Sequence, residues 1–250
     1  MSFENNFASQ ISHLEKEYYP NKEFYVDNKI ISIDGIDGVG KSSFSEKLTT
    51  ILQEKYGKEN VVLMRPTKFS ESKEAKKYGD TLHDKKNLPL NSRKHNLYFV
   101  GALHKNYEKM IKDYINQGKI VVLDSSEIRA LAYMLDKGED DAIDSTLKWL
   151  RSGRLTGNIL PGNRIILEAD NQDILDNLHK RKKIDIGDPV DIQGVQNRLN
   201  SYNKAMDSVK KLKTNKSTNW INVQNPRITE NVELGLDKII RKQILNKLKF

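Results

Sequence analysis

The 250 residues contain no cysteine, and long apolar runs are absent. Without cysteine the chain can hold neither a disulfide framework nor a zinc site built from thiolates. Charged residues make up 30% of the sequence and its mean hydropathy is -0.68, which excludes a membrane-spanning protein. The start, MSFENNFASQ, lacks the basic and apolar segments of a secretory signal. We therefore expect a soluble, globular, cytoplasmic protein with no membrane partner.

The charge balance is basic, with 42 Lys+Arg against 34 Asp+Glu and a formal net charge of +8. Such an excess favours polyanionic partners such as nucleotides, nucleic acid or anionic surfaces. A well-solvated, lysine-rich surface explains the same numbers more simply. Composition alone therefore does not decide which partner the chain binds.

The chain has no internal repeat, low-complexity run or linker rich in proline and glycine, which indicates one domain over residues 29–250. Residues 1–28 are predicted to form an N-terminal extension. Within it, Phe7, Ile11, Leu14 and Tyr18 recur at helical spacing. This spacing predicts a short amphipathic helix that packs on the main body or on a partner.

Five short apolar runs alternate with longer stretches of helical periodicity. The runs are nearly continuous, which is typical of strands buried on both faces of a parallel sheet. Strand and helix alternation predicts an α/β, doubly wound fold, in which ligands bind at the carboxyl ends of the strands. The predicted strands are 30–34, 60–64, 119–124, 164–168 and 219–223.

A phosphate-binding pattern follows the first predicted strand. The segment GIDGVGKS at residues 35–42 matches G-x-x-x-x-G-K-[ST] in full, and an apolar-faced helical pattern follows it. Loop amides and the helix N-terminus favour phosphate there, Lys41 is predicted to reach the β- and γ-phosphates, and Ser42 to offer its hydroxyl to Mg²⁺. The predicted ATP-binding residues of this segment are Gly35, Asp37, Gly38, Val39, Gly40, Lys41, Ser42 and Ser43.

The stretch IISIDGIDGVGKSSFSEKL resembles the opening of the thymidylate kinase family of nucleoside monophosphate kinases. The resemblance implies a three-layer, five-stranded parallel sheet of the P-loop kinase type, with ATP and Mg²⁺ as cofactors. Met64-Arg65-Pro66-Thr67 resembles the family's loop at the acceptor phosphate, and Leu97-Tyr98-Phe99 resembles the segment whose Phe stacks on the acceptor base. Residues 179–188 resemble the basic lid over ATP, and we expect this lid to span about residues 179–190. Val223-Gln224-Asn225 resembles the loop beside adenine. The implied substrate-binding residues are therefore Arg65 and Phe99, and Asn225 is added to the ATP site.

Two departures from the family pattern concern the acceptor. The family's Asp-Arg-Tyr reads Asp124-Ser125-Ser126, so the arginine that holds the acceptor phosphate is replaced by serine. Leu103 stands where the family has a second acceptor arginine. Arg129, one helical turn after Ser125, is the predicted substitute and the third candidate for substrate binding.

The remaining charged candidates concern phosphoryl transfer, which depends on positioning and on neutralising developing charge. Among the basic residues of the lid segment, Arg181 is the predicted catalytic cation, because a guanidinium can bridge two phosphate oxygens. Asp124 ends a buried strand and is predicted to lie near Mg²⁺, with a structural ion pair as its alternative role. Asp37 either orients the acceptor or serves the turn itself. Lys41, Asp124 and Arg181 are thus the predicted catalytic residues, and Ser42 and Asp124 the metal site.

The sequence therefore predicts an ATP- and Mg²⁺-dependent kinase that phosphorylates a nucleoside monophosphate, with dTMP as the default acceptor. A kinase for a deoxynucleoside, a modified nucleotide or DNA is an alternative, because of the positive charge and the replaced arginine. A nucleotide-binding switch protein without transfer activity is another. The resemblance also implies a homodimer.

Overall fold

The computed structural model describes residues 25–65, 110–136, 159–181, 188–211, 217–225 and 232–250. The predicted helix over residues 7–18, the predicted stacking residue Phe99 and Leu103 lie outside these ranges. None of the described helices is long and apolar enough to cross a membrane.

The described part of the chain alternates strands and helices, as the apolar pattern predicts. A single 3₁₀ turn, Lys58–Asn60, precedes the second strand, and a π-helical turn, Ile240–Ile244, follows the last α-helix. The elements in chain order are β1 (Tyr25–Asp34), α1 (Lys41–Tyr56), β2 (Val61–Met64), α2 (Lys112–Asn116), β3 (Ile120–Asp124), α3 (Glu127–Asp136), β4 (Ile159–Glu168), α4 (Asn171–His179), α5 (Ile192–Lys210), β5 (Asn219–Gln224) and α6 (Val232–Ile239).

The five strands form one parallel sheet in the order β2-β3-β1-β4-β5. This confirms the predicted α/β fold with a five-stranded parallel sheet. Strand β1 lies at the centre and pairs with β3 and β4, so that Ile33 is in register with Asp124 and Asp34 with Ile166. The carboxyl ends of β1 and β3 therefore meet at one edge of the sheet, where the phosphate-binding segment begins.

Two strands begin earlier than the apolar runs indicate. Strand β1 starts at Tyr25 and strand β4 at Ile159, and these N-terminal parts pair with each other over residues 25–27 and 159–161. Residues 25–28, which the sequence pattern assigns to the N-terminal extension, therefore belong to the sheet. The apolar pattern does not indicate this pairing because polar residues interrupt it. One of them, Asp27, is buried and accepts a hydrogen bond from the backbone N–H of Lys29.

Helices cover both faces of the sheet because strand side chains alternate between them. Ile31 and Ile33 point to the face covered by α1, α6 and the π-helical turn. The opposite face carries an apolar cluster contributed by α3, α4 and α5. Several polar side chains of the central strands are buried as well, among them Ser32, Asp34 and Arg164. These polar groups lie at the base of the candidate site.

Candidate active site

The loop between β1 and α1 is held in a conformation that requires glycine. Gly38 and Gly40 have φ angles of +89° and +92°, a region that side chains disfavour. A Cβ atom at Gly40 would lie 2.5 Å from the side-chain nitrogen of Asn225, and one at Gly38 would lie 2.8 Å from the carbonyl oxygen of Ile174. The glycines of the sequence pattern therefore allow the loop to lie close to neighbouring elements.

Amide side chains from the second half of the chain hold the carbonyls of this loop. Asn177 on α4 donates to the Gly38 oxygen at 3.0 Å, and Asn225 after β5 donates to the Val39 oxygen at 2.6 Å. The ammonium of Lys41 donates to the Ile36 oxygen at 2.8 Å. With three carbonyls bonded in this way, the loop is fixed at the N-terminus of α1, where helix N–H groups favour an anion.

An open cleft of about 680 Å³ lies over this loop. It brings together predicted residues that are far apart in sequence, from the phosphate loop, the end of β2, the end of β3, helix α3 and the segment after α4. The lining residues are Asp37, Gly38, Gly40, Lys41, Ser42, Ser43, Arg65, Asp124, Arg129, Asn177, Lys180 and Arg181.

The carboxylate of Asp37 is the centre of a charged cluster in the cleft. Arg129 Nη2 lies 3.1 Å and Lys41 Nζ 3.3 Å from its Oδ1 atom, while the Tyr133 hydroxyl donates to Oδ2. The Arg198 guanidinium stacks on the Tyr133 ring, 4.1 Å from its centroid. Asp37 therefore does more than shape a turn, because it pairs with two cations and accepts a hydrogen bond from a tyrosine.

Burial and charge oppose each other in this cluster. Burial would raise the pKa of the Asp37 carboxyl, but the charges of Arg129 and Lys41 outweigh it and hold that pKa well below its usual range. Burial lowers the pKa of the Lys41 ammonium, and Asp37 only partly offsets this. Burial and the charge of Asp37 raise the pKa of Tyr133 to about 12. Tyr133 therefore stays protonated at neutral pH and donates a hydrogen bond to Asp37.

A second cluster joins the first turn of α1 to the end of β3. The Ser42 hydroxyl donates to Asp124 Oδ2 at 2.8 Å, and Arg65 Nε contacts the same oxygen at 3.3 Å. Arg65 also pairs with the Glu46 carboxylate on α1. Both roles weighed for Asp124 thus have a structural basis: it lies beside the predicted metal ligand Ser42, and it also forms an ion pair.

Arg181 and Asn225 were also predicted to contact ATP. Arg181 lines the cleft, is 40% exposed, and its guanidinium lies 3.6 Å from the Asp188 carboxylate. Asn225 is buried, with its side chain on the Val39 carbonyl and its backbone N–H on the Glu168 oxygen. Asn225 therefore supports the phosphate loop, and a contact with adenine stays a prediction.

The segment that departs from the family pattern has an unusual backbone. Ser125 is the non-glycine residue with positive φ in the described ranges, at +80°. Its N–H donates to the Ile33 oxygen, and the next residue, Ser126, donates both its N–H and its hydroxyl to the Asp34 carboxylate. These bonds hold the start of α3, and with it Arg129, beside the phosphate loop.

Three residues at the site escaped the sequence analysis. The apolar pattern around Tyr133 predicts a packing residue, and no pattern in the sequence singles out Asn177 or Tyr202. Each lies on a helix, but its polar contact is with a segment far away in the sequence, so local periodicity carries no signal for it. For Tyr133 the correction is that its hydroxyl bonds the Asp37 carboxylate.

The fold and the cleft define an α/β protein of the P-loop type. The family model of thymidylate kinase matches residues 33–233, and the chain belongs to the thymidylate kinase family.

Relatives of known name agree with this family. Thymidylate kinase of Ehrlichia ruminantium (strain Gardel) is 33% identical over 143 residues, 56% of this chain and 65% of that protein. The match thus spans just under two thirds of the length of that relative. Thymidylate kinase of Blochmanniella pennsylvanica (strain BPEN) is 23% identical over 215 residues, 84% of this chain and 94% of that protein.

A solved structure shares the fold. The crystal structure of thymidylate kinase from Ehrlichia chaffeensis has a TM-score of 0.57 and 20% identity, and the match covers 87% of this chain and 98% of that one. At this identity the likeness supports the fold.

The charged cluster predicts a pH dependence of ATP binding. ATP affinity should fall on the alkaline side as Lys41 loses its proton, at a pH below the ordinary lysine value of 10.5, because burial lowers its pKa. Asp37→Asn removes an anion that favours the charged lysine, so the fall should begin at a lower pH. Titration of a fluorescent ATP analogue from neutral to alkaline pH measures both curves. An unchanged or upward-shifted alkaline limb in the variant would contradict this account.

Proposed function

We propose that this chain is a cytoplasmic thymidylate kinase, which transfers the γ-phosphoryl group of ATP to the phosphate of dTMP. An oxygen of the acceptor phosphate bonds to the γ-phosphorus, the bond from that phosphorus to the β,γ-bridging oxygen breaks, and ADP leaves. The observation that carries the proposal is the complete phosphate loop, whose Lys41 and Ser42 stand beside Asp124 in one cleft, in a chain of this family.

On the donor side, Lys41 and the amides of residues 38–43 bind the β- and γ-phosphates of ATP. Arg181 is the proposed cation that neutralises charge on the transferring group. Its 40% exposure and its location in the cleft support this role. The guanidinium suits two phosphate oxygens better than an ammonium does.

The residues present fit a magnesium ion. Mg²⁺ prefers oxygen ligands and, in phosphoryl-transfer enzymes, binds through one or two protein groups together with substrate phosphates and water. Ser42 Oγ and Asp124 Oδ2 lie 2.8 Å apart at the phosphate loop, which offers such an oxygen pair. The described residues contain no cluster of three or more His, Cys, Asp or Glu for a metal held by the protein alone. When bound, the ion would neutralise phosphate charge.

On the acceptor side, Arg129 and Arg65 are the proposed phosphate ligands, and Phe99 is the proposed stacking residue for the base. The Arg129 guanidinium lies in the cleft although the family's arginine is replaced by Ser125. Its ion pair with Asp37 already orients the guanidinium, and an incoming phosphate would compete with Asp37 for it. A cation at this position favours an acceptor that carries a phosphate over a nucleoside.

We also propose a homodimer, which the family resemblance implies, and a solution mass equal to one chain would contradict it. Nucleic acid as acceptor is the less supported alternative, since no described residue outside the cleft argues for it.

A screen of acceptors tests the proposed function. ATP turnover, measured by a coupled ADP assay, should be stimulated by dTMP more than by other monophosphates or by deoxynucleosides. Lys41→Ala should abolish the stimulation, because the β- and γ-phosphates lose their buried cation. Lys47→Ala is the matched control, since Lys47 lies on the same helix but pairs with Asp237 outside the cleft. Stimulation by nucleosides alone, or full turnover by Lys41→Ala, would contradict the proposal.

The acceptor role of Arg129 has its own test. Arg129→Gln should raise the KM for dTMP by about 10- to 100-fold, the range expected when a hydrogen bond to a charged group is lost. The KM for ATP should change by less than about threefold. Arg241→Gln, on an exposed arginine that pairs with Asp237 at the π-helical turn, controls for loss of charge. An unchanged KM for dTMP in Arg129→Gln would show that another residue holds the acceptor phosphate.

A further inference from the structure

The hydroxyl of Tyr202 is bonded to the first residue of the phosphate loop. Tyr202 lies on α5 and is 4% exposed, and its Oη accepts a hydrogen bond of 2.7 Å from the backbone N–H of Gly35. This contact joins residues 167 positions apart in sequence. A tyrosine on the apolar face of a helix would pack equally well without its hydroxyl, so the polar contact needs a separate explanation.

The same hydroxyl also contacts the carboxylate under the loop. Tyr202 Oη lies 3.3 Å from Asp34 Oδ1, and since it accepts from Gly35, its own proton is directed at Asp34. Burial and the charge of Asp34 raise the pKa of Tyr202 well above its ordinary value. The hydroxyl therefore stays protonated in any ordinary buffer and keeps this donor and acceptor arrangement.

Strand β4 and Val39 leave no space for a side chain at Gly35. Its φ is +147°, and a Cβ atom there would lie 2.7 Å from the Leu167 carbonyl oxygen and 2.9 Å from a methyl carbon of Val39. Strand β4 thus limits Gly35 from one direction and Tyr202 binds it from another. Without the hydroxyl, a buried N–H at the entrance of the loop loses its partner, and the loop must shift to satisfy it.

We propose that Tyr202 is a positioning residue for ATP, which fixes Gly35 and so links helix α5 to the phosphate loop. The inference rests on the proposed function, because it assigns the loop to ATP.

The test compares two hydroxyl deletions at the same carboxylate. Tyr202→Phe removes a donor to Asp34 Oδ1 and also the acceptor for Gly35 N–H. Ser126→Ala removes another donor to Asp34 Oδ1, of 2.8 Å, together with an acceptor for Arg164 Nη1, and leaves Gly35 untouched. Both variants should lose thermal stability, whereas ATP affinity should fall by about tenfold in Tyr202→Phe alone, equivalent to about 1.4 kcal/mol. Binding of a fluorescent ATP analogue without acceptor gives the affinity, and steady-state kinetics separate the KM for ATP from kcat.

Two outcomes would overturn the inference. If Tyr202→Phe melts earlier but binds ATP like the wild type, the hydroxyl is structural only. If both variants lose ATP affinity equally, the effect arises at Asp34 and not at Gly35. If Tyr202→Phe does not fold, amide hydrogen exchange of the wild type decides: Gly35 should be the slowest-exchanging amide of residues 35–40 without nucleotide, and rapid exchange there would contradict the proposal.

The acceptor screen separates this inference from the proposed function. A wild-type chain that binds ATP but is not stimulated by dTMP would contradict the proposed acceptor and leave the Tyr202 comparison valid. A wild-type chain with full dTMP kinase activity, combined with normal ATP affinity in Tyr202→Phe, would contradict only the inference.

Discussion

The carboxylate of Asp34, fully buried at the end of the central strand, is the group on which the arrangement of the site depends. A buried carboxylate is costly unless donors surround it. Here the donors are the hydroxyls of Ser32, Ser126 and Tyr202 and the N–H of Ser126. They come from β1 itself, from the segment before α3 and from α5. Satisfying one charge therefore fixes three elements around the point where the phosphate loop begins.

The buried cation Arg164 extends this network to the next strand. Its Nη1 atom donates to the Ser126 hydroxyl at 3.1 Å, its other nitrogen bonds the Glu127 carboxylate, and its guanidinium lies 5.3 Å from the centroid of the Trp220 ring. Glu127 is the first residue of α3, the helix that carries Arg129 and Tyr133. The side of the cleft proposed for the acceptor is thus anchored to β4 through a buried ion pair. The position of Arg129 thus depends on Arg164 and Glu127, which are both fully buried.

Cations outnumber anions in the cleft, yet its two carboxylates already form ion pairs with three of these cations in the absence of a nucleotide. Asp37 binds Lys41 and Arg129, and Asp124 binds Arg65. Phosphate oxygens are stronger competitors for a guanidinium than a carboxylate already shared between two cations. Binding would therefore exchange internal ion pairs for ligand contacts, and the cations need little movement to make that exchange.

The sequence predicted what local patterns encode. Continuous apolar runs identified all five strands, and the glycine and lysine spacing identified the loop, because both depend on neighbours in the chain. Asp27 and Pro161 at the starts of β1 and β4 broke the apolar pattern, so the longer pairing of those strands went unnoticed. Tyr202 and Asn177 were missed because their polar bonds join residues more than 130 positions apart. Such contacts have no local periodicity.

The order in which the site is completed follows from where its supports lie in the chain. The phosphate loop is made from residues 35–42, but the side chains that hold it belong to Asn177, Tyr202 and Asn225. During synthesis on the ribosome, a nascent chain carries the whole loop well before Asn177, Tyr202 and Asn225 have been made. ATP that binds only the completed loop would then stabilise the finished fold over every shorter intermediate. On the proposed function, a bound nucleotide would act as a late stabiliser of newly made protein as well as a substrate.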